Sequence, residues 1–289
     1  MKTASNWSDY KIIATSEGMK LENWKGVILL RPDPQVIWKG KDLYACKDIN
    51  AVYHRSEKGG GGWETRKSFP AEWTVSYGDL TFKVKPMGFK HTGLFPEQAV
   101  NWDAMRALIS NAGREIRVLN LFAYTGAASV ACAKAGAKVT HVDAARGMVE
   151  RAGENARLSG VENGIRYIVD DCMKFVAREI RRGNKYDAII MDPPSYGRGP
   201  GGEMWKIERD LFAFVQNCAK LLSDKPLFFL INSYTTGLQP AVLKNILTLA
   251  LDGFKGKTEA YEVGIATEEG IPLPCGASGL FTGENNADE

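Results

Sequence analysis

The sequence is poor in the residues on which stapled or metal-bound domains depend. Its 289 residues include five cysteines and three histidines. Cys46, Cys132, Cys172, Cys218 and Cys275 are odd in number, widely spaced and form no C-x-x-C pair, and His54, His91 and His141 are equally scattered. No structural zinc or disulfide framework is therefore expected, no metal ligands are assigned, and a reducing, cytoplasmic setting is the natural one. Most of the cysteines are expected to act as small buried hydrophobes. No window approaches the roughly eighteen uninterrupted apolar residues of a membrane span. Met1-Lys2-Thr3-Ala4-Ser5 leads into no apolar segment, so no secretory leader is expected. A strong charge of one sign is missing too. The 37 basic and 34 acidic residues leave a net +3, which permits a nucleic-acid partner without arguing for one. Internal repeats and low-complexity tails are also lacking.

What is present divides into two regions, expected as domains over 1–88 and 89–289. The first reads as short strands separated by turns: 27–30, 36–38, 51–54 and 80–84 are β-type runs. They are punctuated by Arg31-Pro32-Asp33-Pro34, Lys39-Gly40-Lys41-Asp42 and the tract Gly59-Gly60-Gly61-Gly62, which predicts a mobile loop. Five of the seven tryptophans fall here, available either to stack on bases or to fill a small core; the core is the preferred use. The second region alternates helix and strand. Trp102, Met105 and Ile109 mark one helix face, and strands are predicted near 117–122, 138–142, 166–169, 186–191 and 227–231. Helices are predicted over 127–135, 148–158, 172–182, 204–222 and 239–251. Nearly continuous apolar strands in βα units imply a parallel sheet covered on both faces. Ligands of such sheets bind beyond the carboxyl ends of the strands.

Four strand ends carry the candidate chemistry. The first runs into Asn120-Leu121-Phe122-Ala123-Tyr124-Thr125-Gly126 and then a helix of small residues. Gly126 there suits either a ligand approaching backbone N–H groups or a plain tight turn. The second ends at Asp143-Ala144, where a carboxylate can receive two ribose hydroxyls or cap the next helix, with ribose preferred. The third ends at Asp170-Asp171-Cys172. Asp171 is preferred for an adenine amino group and Asp170 for capping or solvent. The fourth ends at Asp192-Pro193-Pro194-Ser195-Tyr196, a rigid corner with two backbone donors removed, leaving carbonyls and a carboxylate aimed at the cleft.

In order and spacing these segments, with His91-Thr92-Gly93-Leu94-Phe95-Pro96-Glu97-Gln98, resemble the class I S-adenosylmethionine methyltransferases. More narrowly, they are similar to the family that contains bacterial large-subunit ribosomal RNA methyltransferases. The likeness spans roughly residues 80 to 285. It implies a Rossmann-like α/β fold with a seven-stranded sheet, its last strand near Ser278-Gly279-Leu280-Phe281 antiparallel, preceded by a small β-rich domain. S-adenosylmethionine is the implied cofactor. Phe95 and Gln98 would close over it, Phe122, Tyr124 and Gly126 would surround its methionine part, Asp143 would hold the ribose and Asp171 the adenine. Asp192 would face the methyl group. RNA is the implied partner, although no separate RNA-binding domain fits ahead of the β region.

The chain departs from the cytosine-C5 enzymes of that class. Their chemistry needs a thiolate to attack carbon 6, whereas the positions after the fourth and fifth strands read Asp192-Pro193-Pro194-Ser195 and Asn232-Ser233-Tyr234-Thr235. Cys275 is only a remote reserve. A nitrogen acceptor is therefore expected. Asp192 and the Pro193 carbonyl would accept from an exocyclic amino group. Tyr196 would stack on the base or pack on the cofactor, and Gly197 to Gly202 would serve as a lid carrying Arg198 or be plain surface. Arg178, Arg181, Arg182, Lys185, Lys83, Lys85 and Lys90 are candidates for an RNA-facing surface or simply solvated faces. A small-molecule or protein acceptor is the alternative. A nicotinamide-dependent oxidoreductase is disfavoured because G-x-G-x-x-G is absent after the first strand, and a catalytically silent RNA-binding module is disfavoured because the acidic strand ends are intact.

Overall fold

The computed structural model describes residues 1–56, 60–198 and 204–284, with the side chain of Arg198 left aside. The chain forms two compact units, Met1–Val100 with Val263–Cys275, and Asn101–Glu262 with Gly276–Glu289. Among the described residues no helix is long and apolar enough to cross a membrane.

The first unit is built on strands. β1 (Lys2–Ala4) pairs in parallel with Val263, Gly264 and Ile265. β2 (Tyr10–Ser16), β3 (Met19–Trp24), β4 (Val27–Pro32), β5 (Ala51–Arg55) and β6 (Gly61–Thr65) form one sheet in that order, and β7 (Trp73–Tyr77) pairs with β8 (Leu80–Val84). Three predicted runs match strands here, but Val36-Ile37-Trp38 does not; its backbone is spent on Gly18 and Glu17, whose N–H groups donate to the Val36 and Trp38 carbonyls. Within the glycine tract, Gly61 and Gly62 begin β6. A Cβ on Gly61 would lie 2.1 Å from the His54 carbonyl, so close pairing with β5 requires glycine there. Gly59 lies outside the described residues. The tryptophans hold the unit together. Trp24 is fully buried, and the indoles of Trp7, Trp38, Trp63 and Trp73 donate to Pro96, Thr15, Met87 and Trp24 respectively.

A buried charge pair lies inside this unit. Arg31 grips Glu22 through Nε at 2.5 Å and Nη2 at 2.7 Å, and the Tyr10 hydroxyl donates to Glu22 at 2.7 Å. Burial alone raises the Glu22 pKa, but the Arg31 and Lys20 charges and these hydrogen bonds outweigh it and hold the carboxyl at about 2. Arg31 also donates to the Lys90 carbonyl at 2.7 Å, which ties the charge pair to the segment entering His91.

The second unit carries the parallel sheet. α1 (Ala99–Ser110) leads into β9 (Arg117–Leu121), α2 (Ala127–Lys134), β10 (Lys138–Asp143), α3 (Arg146–Leu158), β11 (Ile165–Val169), α4 (Cys172–Arg182) and β12 (Ala188–Met191). A hairpin, β13 (Tyr196–Arg198) with β14 (Met204–Lys206), precedes α5 (Ile207–Ala219), β15 (Phe228–Ser233), α6 (Pro240–Ala250), β16 (Gly256–Ile265) and β17 (Leu273–Gly283). The sheet strands run in the order β1, β16, β17, β15, β12, β9, β10, β11, with β17 antiparallel to β15 as the resemblance implied. Ala188-Ile189-Ile190-Met191 is buried throughout. Fully burying a large apolar side chain is worth about 1.5–3 kcal/mol, and a strand apolar on both faces has no solvent side to choose. The expected helix 204–222 begins instead at Ile207, because Met204-Trp205-Lys206 alternates exposed, buried, exposed and pairs with β13.

α4 shows how local sequence sets element ends. The Asp171 carboxylate accepts from the Lys174 N–H at 2.9 Å, and Gly183 at φ 67 closes the other end.

Replacing Glu22 by alanine leaves Arg31 buried without its partner and is expected to destabilise by about 3–5 kcal/mol in urea unfolding. Because the folded pKa of Glu22 lies below its unfolded value, the pair's contribution is complete above about pH 4.5 and falls as pH drops towards 2. A Glu22→Gln variant should show a shallower acid limb over that window.

Candidate functional site

β9 ends at Leu121, and the chain turns through Phe122 to Gly126 before α2 begins. Phe122 at φ 54 and Tyr124 at φ 50 hold left-handed backbone conformations. Such conformations cost an L-residue on the order of 1–3 kcal/mol, so neighbours must enforce them. The Phe122 N–H donates to Cys172 Sγ at 3.2 Å, the Ala123 N–H to the Val142 carbonyl at 3.1 Å, and the Tyr124 N–H to Asp143 Oδ2 at 2.8 Å. Thr125 is buried, and its carbonyl accepts from Asn155 at 2.8 Å. Gly126, at φ 83, has a packing role the sequence did not show: a Cβ there would lie 2.6 Å from Ala152 on α3. Gly126, the N-cap of α2, has no side chain to cap the helix, and the positive end of the α2 dipole lies at this loop.

Asn120 turns its side chain inward. Its amide donates to Ser129 Oγ at 2.9 Å, and that hydroxyl lies 3.0 Å from His141 Nδ1. Burial pushes His141 down to about 4, so the imidazole is neutral at pH 7. This chain supports the loop from beneath.

Asp143 accepts from Tyr124 with one oxygen and from the Ala145 N–H with the other, both at 2.8 Å. The N-cap of α3 is Ala145, so Asp143 does not cap that helix. A carboxylate offers about four acceptor positions, and this partly exposed one keeps lone pairs for two hydroxyls. Exposed Ala144 follows.

At the third strand end the capping assignment is reversed. Asp171, not Asp170, caps α4; Asp170 pairs with Arg178 and accepts from the Asp171 N–H at 2.9 Å. An Asp at the residue before a helix can reach back to its N3 N–H, whereas one position earlier it cannot. Asp171 uses only Oδ1 for the cap. Cys172 is buried, accepts from Phe122, and has its thiol pKa pushed up by burial.

The fourth strand ends at partly exposed Asp192, followed by buried Pro193. The Pro194 carbonyl accepts from Trp205 Nε1 at 2.6 Å, Ser195 Oγ lies 2.5 Å from Thr235 Oγ1, and the Ser195 carbonyl accepts from the Ile207 N–H at 3.1 Å. Tyr196 is 52% exposed, its hydroxyl donating to Met204 Sδ at 3.4 Å. The expected lid falls largely on residues 199–203, outside the described residues. Trp205 was missed from sequence because it was read as part of a helix.

Phe95 and Gln98 belong to the first unit. There Phe95 precedes a 3-10 turn over Pro96–Gln98, its ring 5.3 Å from His91, and Gln98 is buried. Cys275 also lies in the first unit, and burial pushes its thiol pKa up, opposite to the need of a nucleophile. Several basic candidates are engaged within the chain: Lys83 and Lys85 with Glu72, Arg178 with Asp170, Arg182 with Glu179, and Lys185 with the Lys220 carbonyl. Among the described residues no group of three His, Cys, Asp or Glu side chains is placed to hold a metal ion.

A doubly wound sheet with acidic residues at three successive strand ends defines a nucleotide-binding class of α/β protein. A family model described as S-adenosylmethionine-dependent methyltransferase matches residues 51–227. A crystal structure of the SAM-dependent methyltransferase from Agrobacterium tumefaciens is 32% identical, with a TM-score of 0.91 over 98% of this chain and 93% of that one. A putative methyltransferase solved in complex with SAH, 17% identical, shares the fold with a TM-score of 0.71 over 96% of this chain and 76% of that one. The ribosomal RNA large subunit methyltransferase K/L of Pseudoalteromonas atlantica is 36% identical over 143 residues, 49% of this chain and 19% of that protein. The chain thus spans about one fifth of the length of such curated relatives. The chain belongs to the S-adenosylmethionine-dependent methyltransferase family.

Two outcomes test the site's scaffold. Asp171→Ala removes the α4 cap and should cost about 1 kcal/mol in chemical denaturation. His141 has a folded pKa below its unfolded value, so its contribution is full above about pH 6.5 and lost as pH falls towards 4. His141→Gln should flatten the stability profile between those limits.

Proposed function

We propose that the chain transfers the methyl group of S-adenosylmethionine to a nitrogen of an RNA base. The reading rests chiefly on the corner at the end of β12, where Asp192 is followed by two prolines and an exposed Tyr196. The bound cofactor supplies an electrophilic sulfonium methyl, so the protein's main task is to hold a nucleophile in line. Asp143 would receive the ribose hydroxyls with its outward lone pairs, and Asp171 the adenine amino group with its second oxygen. The loop Phe122 to Gly126 would receive the methionine part. Asp192 and the Pro193 carbonyl would accept from an exocyclic amino group, turning the nitrogen lone pair towards the methyl. Tyr196 would stack on the unpaired base, a contact worth about 1–3 kcal/mol.

A nitrogen acceptor is favoured because Ser195 and Asn232 to Thr235 supply no thiolate for attack on pyrimidine carbon 6. RNA is favoured by the name of the curated relatives, ribosomal RNA large subunit methyltransferase K/L, and by the exposed aromatic beside the corner.

Labelled methyl transfer to RNA, protein and metabolite fractions from cells lacking this protein tests the acceptor. Label in RNA is expected; label confined to protein or metabolites overturns the RNA reading. Asp192→Ala should abolish transfer while cofactor binding stays within about tenfold, a loss confined to the transfer step. Asp143→Ala should chiefly weaken cofactor binding in calorimetry, and unchanged affinity would sink its assignment.

A further inference from the structure

The candidate cofactor loop and the acceptor corner come from different strands, β9 and β12, yet one buried side chain touches both. Trp205 sits on β14, 4% exposed, opposite Gly197 of β13. Its ring lies 5.9 Å from Phe122 and 5.8 Å from Phe214, and the Phe122 and Phe214 rings are 5.8 Å apart, so the three form a closed aromatic cluster. Its indole N–H donates to the Pro194 carbonyl at 2.6 Å. Pro193 and Pro194 offer no N–H, so the corner is tethered through carbonyls and side chains. Phe122, at the other end of the cluster, holds the left-handed conformation that shapes the cofactor loop.

We infer that Trp205 is a positioning residue that couples S-adenosylmethionine binding to the order of the Asp192-Pro193-Pro194 corner and the hairpin behind it. A ligand seated on the loop narrows the range of Phe122. The ring contacts carry that restriction to Trp205, and the indole N–H carries it to the Pro194 carbonyl. Linkage makes the effect reciprocal: an ordered corner binds the cofactor more tightly, and the cofactor presents an ordered corner to the acceptor. The inference rests on Phe122 to Gly126 being the cofactor loop, and it holds for any acceptor.

Hydrogen exchange of the full chain with and without S-adenosylmethionine tests it, with calorimetry of the same samples. In the wild type, cofactor should slow exchange at Ser195 to Gly197 and Met204 to Lys206 by about fivefold or more, the low end of ordinary coupling energies. Trp205→Phe keeps a ring in the cluster and removes the N–H. It should retain cofactor affinity within about threefold, less than the roughly fivefold low end of ordinary coupling, and lose most of the slowing. Phe122→Leu keeps the indole hydrogen bond and cuts the ring contact, and it should lose the slowing as well. Heat of binding without slowed exchange in the wild type, or full slowing in either variant, overturns the coupling alone. A flat wild-type titration overturns both the coupling and the loop assignment.

Discussion

Phe122 and Tyr124 occupy backbone conformations that favour glycine, two residues apart, at the point where β9 gives way to α2. The strain is offset by partners from other strands: Cys172 beyond β11, and Asp143 and Val142 at the end of β10. The turn therefore exists only while three adjacent parallel strands end in register. Val142 pairs with Leu121, and Asp143 with Val169, which fixes that register. Slippage by one residue would place those acceptors on the opposite face of their strands. The geometry of the candidate site descends from this constraint.

The acidic strand ends hold the scaffold around the candidate site. Asp143 spends one acceptor site on each oxygen holding the loop and the start of α3, and Asp171 spends one capping α4. Each retains acceptor capacity beyond those bonds, on a carboxylate whose position the bonds already fix. Preorganised acceptors of this kind need no reordering when a ligand arrives. Beneath them, the neutral His141, Ser129 and Asn120 supply a polar support within an otherwise apolar layer.

The first unit solves a different problem. A small β structure has limited apolar volume, and it fills that volume with tryptophans; the N–H groups of Trp7, Trp38, Trp63 and Trp73 find acceptors, while that of buried Trp24 has none among the described residues. Its Glu22–Arg31 pair is buried and held by Tyr10 on one side and the Lys90 carbonyl on the other. A pair so completely hydrogen-bonded adds little net stability against an apolar alternative, but removing either member exposes the full desolvation penalty of the other.

Much of the catalytic fold was legible because parallel strands buried on both faces are continuous apolar runs, and 117–121, 138–143 and 188–191 are such runs. Asp-Pro-Pro at the end of one of them was equally legible, since proline restricts the backbone wherever it stands. The strands β2, β3 and β7 and the hairpin at Trp205 were not, because short strands with mixed burial carry a weak period and their pairing is settled by distant partners. The division of labour between Asp170 and Asp171 needed the start of α4, which shifts with a single residue. By itself, then, the sequence determined the order of the βα units, the acidic residues at their ends and the missing thiolate. Tertiary structure alone decided that Gly126 makes room for Ala152, that Asn120 faces inward, and that Trp205 packs on Phe122 while its indole N–H reaches the Pro194 carbonyl. Those are contacts between residues far apart in the chain, and local spacing carries no record of them.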